Sequence, residues 1–108
     1  MKLIAVNDPE LDVSDFTNNI PKHKAVIMVF MMVGCPHCDM LKPKWETVKD
    51  KLSEESMFND VMVADIDSAA AQSLPLPNVM SFPSIKVMKD DKLHEYDGIE
   101  KLILYLVF

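Results

Sequence analysis

Ala25-Val26-Ile27-Met28-Val29-Phe30-Met31-Met32-Val33-Gly34-Cys35-Pro36-His37-Cys38 contains the longest apolar run of the chain and both of its cysteines. Residues 25 to 33 show no alternation of apolar and polar side chains, which fits a central strand covered on both faces. From Pro36 the period changes. Leu41, Trp45, Val48 and Leu52 form a helical stripe, with Lys42, Glu46, Lys49 and Asp50 elsewhere on the wheel. Pro36 suits the first helical position, where no amide donor is needed, and Pro43 should kink the helix by removing one backbone bond.

Working outward, Leu3-Ile4-Ala5-Val6 reads as a short strand stopped by Asp8-Pro9. Ser14 is the expected cap of a short helix carrying Phe16 and Ile20, ended by Pro21. Val61 to Ile66 reads as a second inner strand. Ser68 to Leu74 carries helix formers and is cut short by Pro75 and Pro77. Ile85 to Met88 and Leu93 to Tyr96 alternate and predict a hairpin joined by Lys89 to Lys92. After Gly98, the residues Ile99, Leu102, Ile103 and Leu106 have helical spacing, although the tail from Leu102 to Phe108 is apolar enough to fit a strand as well. The order predicts an α/β fold with a central mixed sheet and helices on both faces, in one domain spanning 1–108.

Cys35 falls between the buried strand and the long helix. A sulfur there meets unpaired amides and the positive end of the helix dipole, a setting that favours the thiolate, which is the attacking species. His37 adds a hydrogen bond or, when protonated, a positive charge. Cys38 lies one helical turn on, on the same face, and is placed to attack a mixed disulfide formed by Cys35. The reading is therefore redox exchange, set against a metal site or an inert pair.

Composition narrows the field. The net charge is −6 and all eleven basic residues are lysine, so a phosphate-reading surface with arginine forks is absent and nucleic acid is not expected as a partner. The nine residues from Ala25 to Val33 are too few to span a bilayer, which needs about 20. No export signal follows Lys2, so a cytoplasmic, monomeric protein with no membrane association is expected, although a mature form freed of its leader would read the same.

The stretch from Val29 to Pro43 resembles the active-site strand and helix of the thioredoxin superfamily. Pro43 matches that family's helix-kinking proline, Ser81-Phe82-Pro83-Ser84 resembles its cis-proline loop, and Gly98 its late glycine. The resemblance implies a thiol-disulfide oxidoreductase whose catalytic residues are Cys35, Pro36, His37 and Cys38. It needs no cofactor beyond the Cys35-Cys38 disulfide, and no metal. Phe82 and a cis Pro83 would face the cysteines and hold an extended substrate segment. Partners would be protein disulfides or dithiols, together with an upstream thiol reductant or glutathione. Pro36-His37 resembles the dipeptide of disulfide-forming oxidases, which implies an oxidising poise. Two departures stand out: the family's buried carboxylate would fall at Val29, and the lysine near it at Val63. Asp65, on the same strand face as Val63, is then the candidate proton relay, against the plainer role of a solvated carboxylate.

Two other classes compete. One is a metal-binding module using Cys35, Cys38, His37 and Met40, which geometry disfavours because His37 lies inside the pair and zinc wants four ligands. The other is a binding domain with incidental cysteines. The nine methionines read mainly as core filler, with copper binding or a peptide groove as alternatives, and Trp45 reads as core rather than contact.

Overall fold

In a computed structural model of the protein, which describes residues 1–76, 79–96, 98 and 102, the unalternating run forms strand β2 (Ala25–Met31). It is buried from Ala25 to Phe30 because helices cover both of its faces. Strands β1 (Lys2–Val6), β3 (Val61–Asp67), β4 (Ser84–Lys89) and β5 (Lys92–Tyr96) complete a five-stranded sheet of order β1-β3-β2-β4-β5. β1 and β2 both pair with β3 in parallel, whereas β2–β4 and β4–β5 are antiparallel. This is the mixed α/β sheet that the element order predicts.

Helix α2 (Pro36–Glu54) covers one face, packing Trp45, Val48 and Leu52 on Ile27, Val29, Val63 and Val87. Helices α1 (Asp12–Asn19) and α3 (Ser68–Ala71) cover the other, with Phe16, Ala70 and Ala71 against Val26, Met28, Phe30 and Met62. Removing these side chains from water is the main source of stability, at roughly 1.5–3 kcal/mol for each large apolar residue.

Local details depart from the expectations. The strand ends at Met31 rather than Val33, because Gly34 takes φ +79° to turn the chain into α2, and Met32 and Val33 are exposed in the turn. Ser14 lies inside α1 and does not cap it. No side chain caps α1; Asp8 and Asp12 instead fasten the turn that leads into it: Asp8 Oδ1 accepts the Glu10 and Leu11 amides at 2.7 and 3.0 Å, and Asp12 Oδ2 accepts those of Asn7 and Asp8 at 3.0 and 2.8 Å. Those amides hold the Asp12 carboxyl below its ordinary value. The helix after β3 stops at Ala71, and the Ser73 and Leu74 amides tighten to the carbonyls of Ala70 and Ala71.

Pro43 sits within α2, which continues through it to Glu54. Asp90 and Asp91 close the hairpin with φ of 54° and 61°, the backbone of a two-residue primed turn usually built with glycine. The helix expected from Ile99 to Leu106 and the tail to Phe108 lie outside the described residues, apart from Leu102, which is buried on the α2 side and donates its amide to the Gly98 carbonyl at 3.4 Å. Among the described residues no helix is long and apolar enough to cross a membrane.

Candidate active site

Cys35 is the N-cap residue of α2, with extended backbone (φ −96°, ψ 113°) and Pro36 as the first helical residue. Its sulfur stands where a serine or aspartate oxygen usually caps a helix, and accepts the Cys38 amide at 3.2 Å. Its thiol also faces the carbonyl of Phe82 at 3.7 Å, across 47 residues of chain. The Phe82–Pro83 bond is cis. The proline loop and the cysteine turn are thus neighbours, the one joining β4 to the chain before it and the other joining β2 to α2.

The two sulfurs differ in access. Cys35 retains 6% of its surface and Cys38 none. Both are free thiols here. Burial pushes the Cys38 thiol above its ordinary value. The hydrogen bond with Cys35 and the charges of Cys35 and Asp39 push the same way, and a backbone hydrogen bond from Met32 opposes them. Cys35 is accordingly the more accessible of the two sulfurs. Pro36 and His37 are exposed in the first turn of α2, while Phe82 and Pro83 are half-buried. Exposed Met32, Val33, Met40 and Met80 lie on the segments that carry the cysteines and the proline loop.

Asp65 keeps 46% of its side chain exposed, as a strand-end carboxylate would, but it is not alone. It pairs in register with Val29 on the face beneath α2. Its carboxylate accepts the indole N–H of Trp45, at 2.5 Å, and the Lys49 ammonium, at 2.7 Å. Lys49 also meets Glu46 at 2.7 Å, lies 5.6 Å above the Trp45 ring, and leaves only 11% of its side chain exposed. Burial alone would lower the Lys49 value; the hydrogen bonds and charges of Asp65 and Glu46 outweigh it and hold the ammonium above its ordinary range. A pocket of about 130 Å³ between the strand ends is lined by Val29, Met32, Val33, Lys42, Asp65 and Asp67 among others, and Cys38 is not in its wall.

Sequence reasoning placed Cys35, Cys38 and the proline loop together but passed over Lys49 and Asp39. Lys49 had a signal: it follows Trp45 by four residues and Glu46 by three, so the three share one side of α2. Asp39 had only its position beside Cys38. Among the described residues no group of three or more His, Cys, Asp or Glu is arranged to hold a metal ion.

The thioredoxin family model matches residues 8–104. Protein disulfide isomerase-like 1-1 of Arabidopsis thaliana is 31% identical over 104 residues, which cover 89% of this chain and 20% of that protein. Protein disulfide-isomerase of Zea mays is 29% identical over 93 residues, 82% of this chain and 18% of the relative. The chain therefore spans about a fifth of the length of these relatives. Among solved structures, the first thioredoxin domain of mouse protein disulfide-isomerase A4 superposes with a TM-score of 0.70 at 24% identity, covering 95% of this chain and 71% of that one. The first two thioredoxin domains of Naumovozyma dairenensis Eps1p give 0.70 at 26% identity, covering 86% and 37%. With the family model spanning the cysteine turn, the proline loop and strands β2 to β5, the chain belongs to the thioredoxin family.

Proposed function

We propose that the chain is a thiol-disulfide oxidoreductase acting on protein disulfides or dithiols, with Cys35 as nucleophile and Cys38 as resolving thiol. The observation that carries this reading is the placement of the Cys35 sulfur at the N-cap of α2, where it accepts the Cys38 amide and faces the Phe82 carbonyl. The amide and the helix terminus stabilise negative charge on the attacking sulfur. The relatives named as protein disulfide isomerases support the same substrate class.

In the first step the Cys35 thiolate attacks one sulfur of the substrate disulfide. A Cys35–substrate bond forms and the other substrate sulfur leaves as a thiolate. Cys38 then loses its proton, attacks Cys35 Sγ and releases the substrate, leaving a Cys35-Cys38 disulfide that an upstream dithiol or glutathione reduces. The half-buried Phe82-Pro83 loop supplies the backbone beside which an extended segment lies during the exchange. Pro36 starts the helix without needing a donor, and His37 is exposed in the same first turn.

Dithiothreitol-driven reduction of insulin tests the proposal. Wild type accelerates it, Cys35→Ser abolishes the acceleration, and Cys38→Ser accumulates mixed disulfides. Full activity in Cys35→Ser would overturn the assignment, and a stoichiometric metal in the reduced protein would favour the metal-binding reading instead.

A further inference from the structure

The two halves of the exchange are unequally served by this structure. The first step draws on an N-cap position, a donated amide and a sulfur with some access to solvent. The second needs a proton to leave Cys38, which has no exposed surface. Within α2 the ionisable groups acting on Cys38 are Cys35 and Asp39, and each disfavours a new negative charge. Exposed His37 shares the turn. Beneath the helix, the backbone of Met32, just past β2, makes the one hydrogen bond among the described residues that favours the Cys38 thiolate, while β2 contributes the fully buried Val29 and β3 the buried Val63. The carboxylate that β3 does bring under α2, Asp65, is committed to Trp45 and Lys49. Lys42 offsets Asp39 only through an exposed pair at 3.4 Å. The proline loop presents the Phe82 carbonyl, an acceptor directed at Cys35.

Resting on the oxidoreductase reading, we propose that release by Cys38 is the slow step in this chain, so that a client protein is held on Cys35 as a persistent mixed disulfide. Asp39 is then a positioning residue of charge, setting how long the client stays. In that step the Cys38 proton passes to water, the Cys35-Cys38 bond forms as the Cys35–client bond breaks, and the client sulfur leaves as a thiolate and is reprotonated. No outside oxidant or reductant enters. While Cys38 remains protonated, the client thiolate freed in the first step stays beside its own bound sulfur. Its attack there returns a client disulfide and the Cys35 thiolate.

The test uses the reduced full chain in excess over 5,5′-dithiobis(2-nitrobenzoate), followed by stopped-flow absorbance. One 5-thio-2-nitrobenzoate leaves when Cys35 attacks and the second when Cys38 resolves the adduct. At pH 7 the second release should lag the first by about tenfold or more, rising about tenfold per pH unit through the thiol range, with the adduct visible by intact mass after acid quench. Asp39→Asn, at an exposed position, should quicken the second release by about twofold, and Lys42→Ala should slow it. Val29→Asp, beside the water-accessible pocket, should quicken it by about tenfold or more and flatten its pH dependence. Release of both anions in one phase from pH 6 to 8, or a second phase indifferent to both pH and Asp39→Asn, would overturn this inference while leaving the oxidoreductase reading intact. Absence of the first release would instead overturn the oxidoreductase reading itself.

Discussion

The first turn of α2 and its third and fourth turns rest on the same sheet, yet they treat ionisable groups in opposite ways. At the first turn two thiols sit with an amide, a carbonyl and apolar strand residues, and among the described residues no cation is buried with them. Farther along, Trp45, Lys49 and Asp65 satisfy one another in a small polar knot between helix and β3. A buried charge is tolerable only when paired and hydrogen-bonded, and the knot meets that condition. The thiol turn meets it differently, by keeping Cys38 neutral. The chain keeps stabilising charge and reactive sulfur apart along a single helix, so each can be altered while the other is watched.

The largest test of that separation is Trp45→Ala. It removes a side chain 1% exposed from the core beneath α2 together with the donor to Asp65, and should cost about 3–5 kcal/mol in urea unfolding. A loss under 1 kcal/mol would mean that the knot does not hold the helix. Asp65→Asn is the sharper probe: it keeps an acceptor for the indole while deleting the charge facing Lys49, for a loss of about 1 kcal/mol. The rate at which the Asp65→Asn protein releases 5-thio-2-nitrobenzoate should match wild type at every pH. A shifted pH profile would break the comparison and return Asp65 to the role of proton relay.

The smallest effect belongs to Lys49→Met, which keeps the packing over the indole and removes the ammonium. Glu46 and Asp65 are both partly exposed, so the cost should be about 0.5 kcal/mol near neutral pH. Its pH dependence carries a sign. Because the folded-state value of Lys49 is raised, its contribution is complete below the unfolded value, about 10.4, and is lost as pH climbs through the folded one. The gap in melting temperature between the two proteins should therefore hold from pH 7 to about pH 9 and close at higher pH. A gap that widens on going alkaline would show that Lys49 is held by something other than Asp65 and Glu46.

Much of this arrangement could be read without coordinates. An apolar run without alternation fits a strand buried on both sides, and the stripe from Leu41 to Leu52 fits a helix starting near Pro36; together they place Cys35 at the junction. Asp65 was harder. Strand alternation assigns its face correctly, but the partners that define it lie on α2, 16 and 20 residues away, and no local pattern reports which helical donors arrive above a given strand position. The depth of Cys38 was hidden for a similar reason, since spacing gives its direction but not the closeness of β2. At the start of α1, Ser14 was the conventional candidate for a cap; no side chain caps the helix, and the carboxylates of Asp8 and Asp12 instead tie down four amides of the preceding turn.

Strand β1 is an edge strand whose hydrogen-bonded neighbour is β3, with Lys2 opposite Met62 and Val6 opposite Ile66. During synthesis β1 is made well before its partner, and it waits until Val61–Asp67 has left the ribosome before it has a seat. Closing so long a loop costs entropy that only an already assembled β2-α2-β3 surface can offset. The order of assembly is therefore the reverse of the order of translation at this edge, and an early-stalled chain would carry Leu3 and Ile4 unpaired, a sticky strand for whatever chaperone meets it.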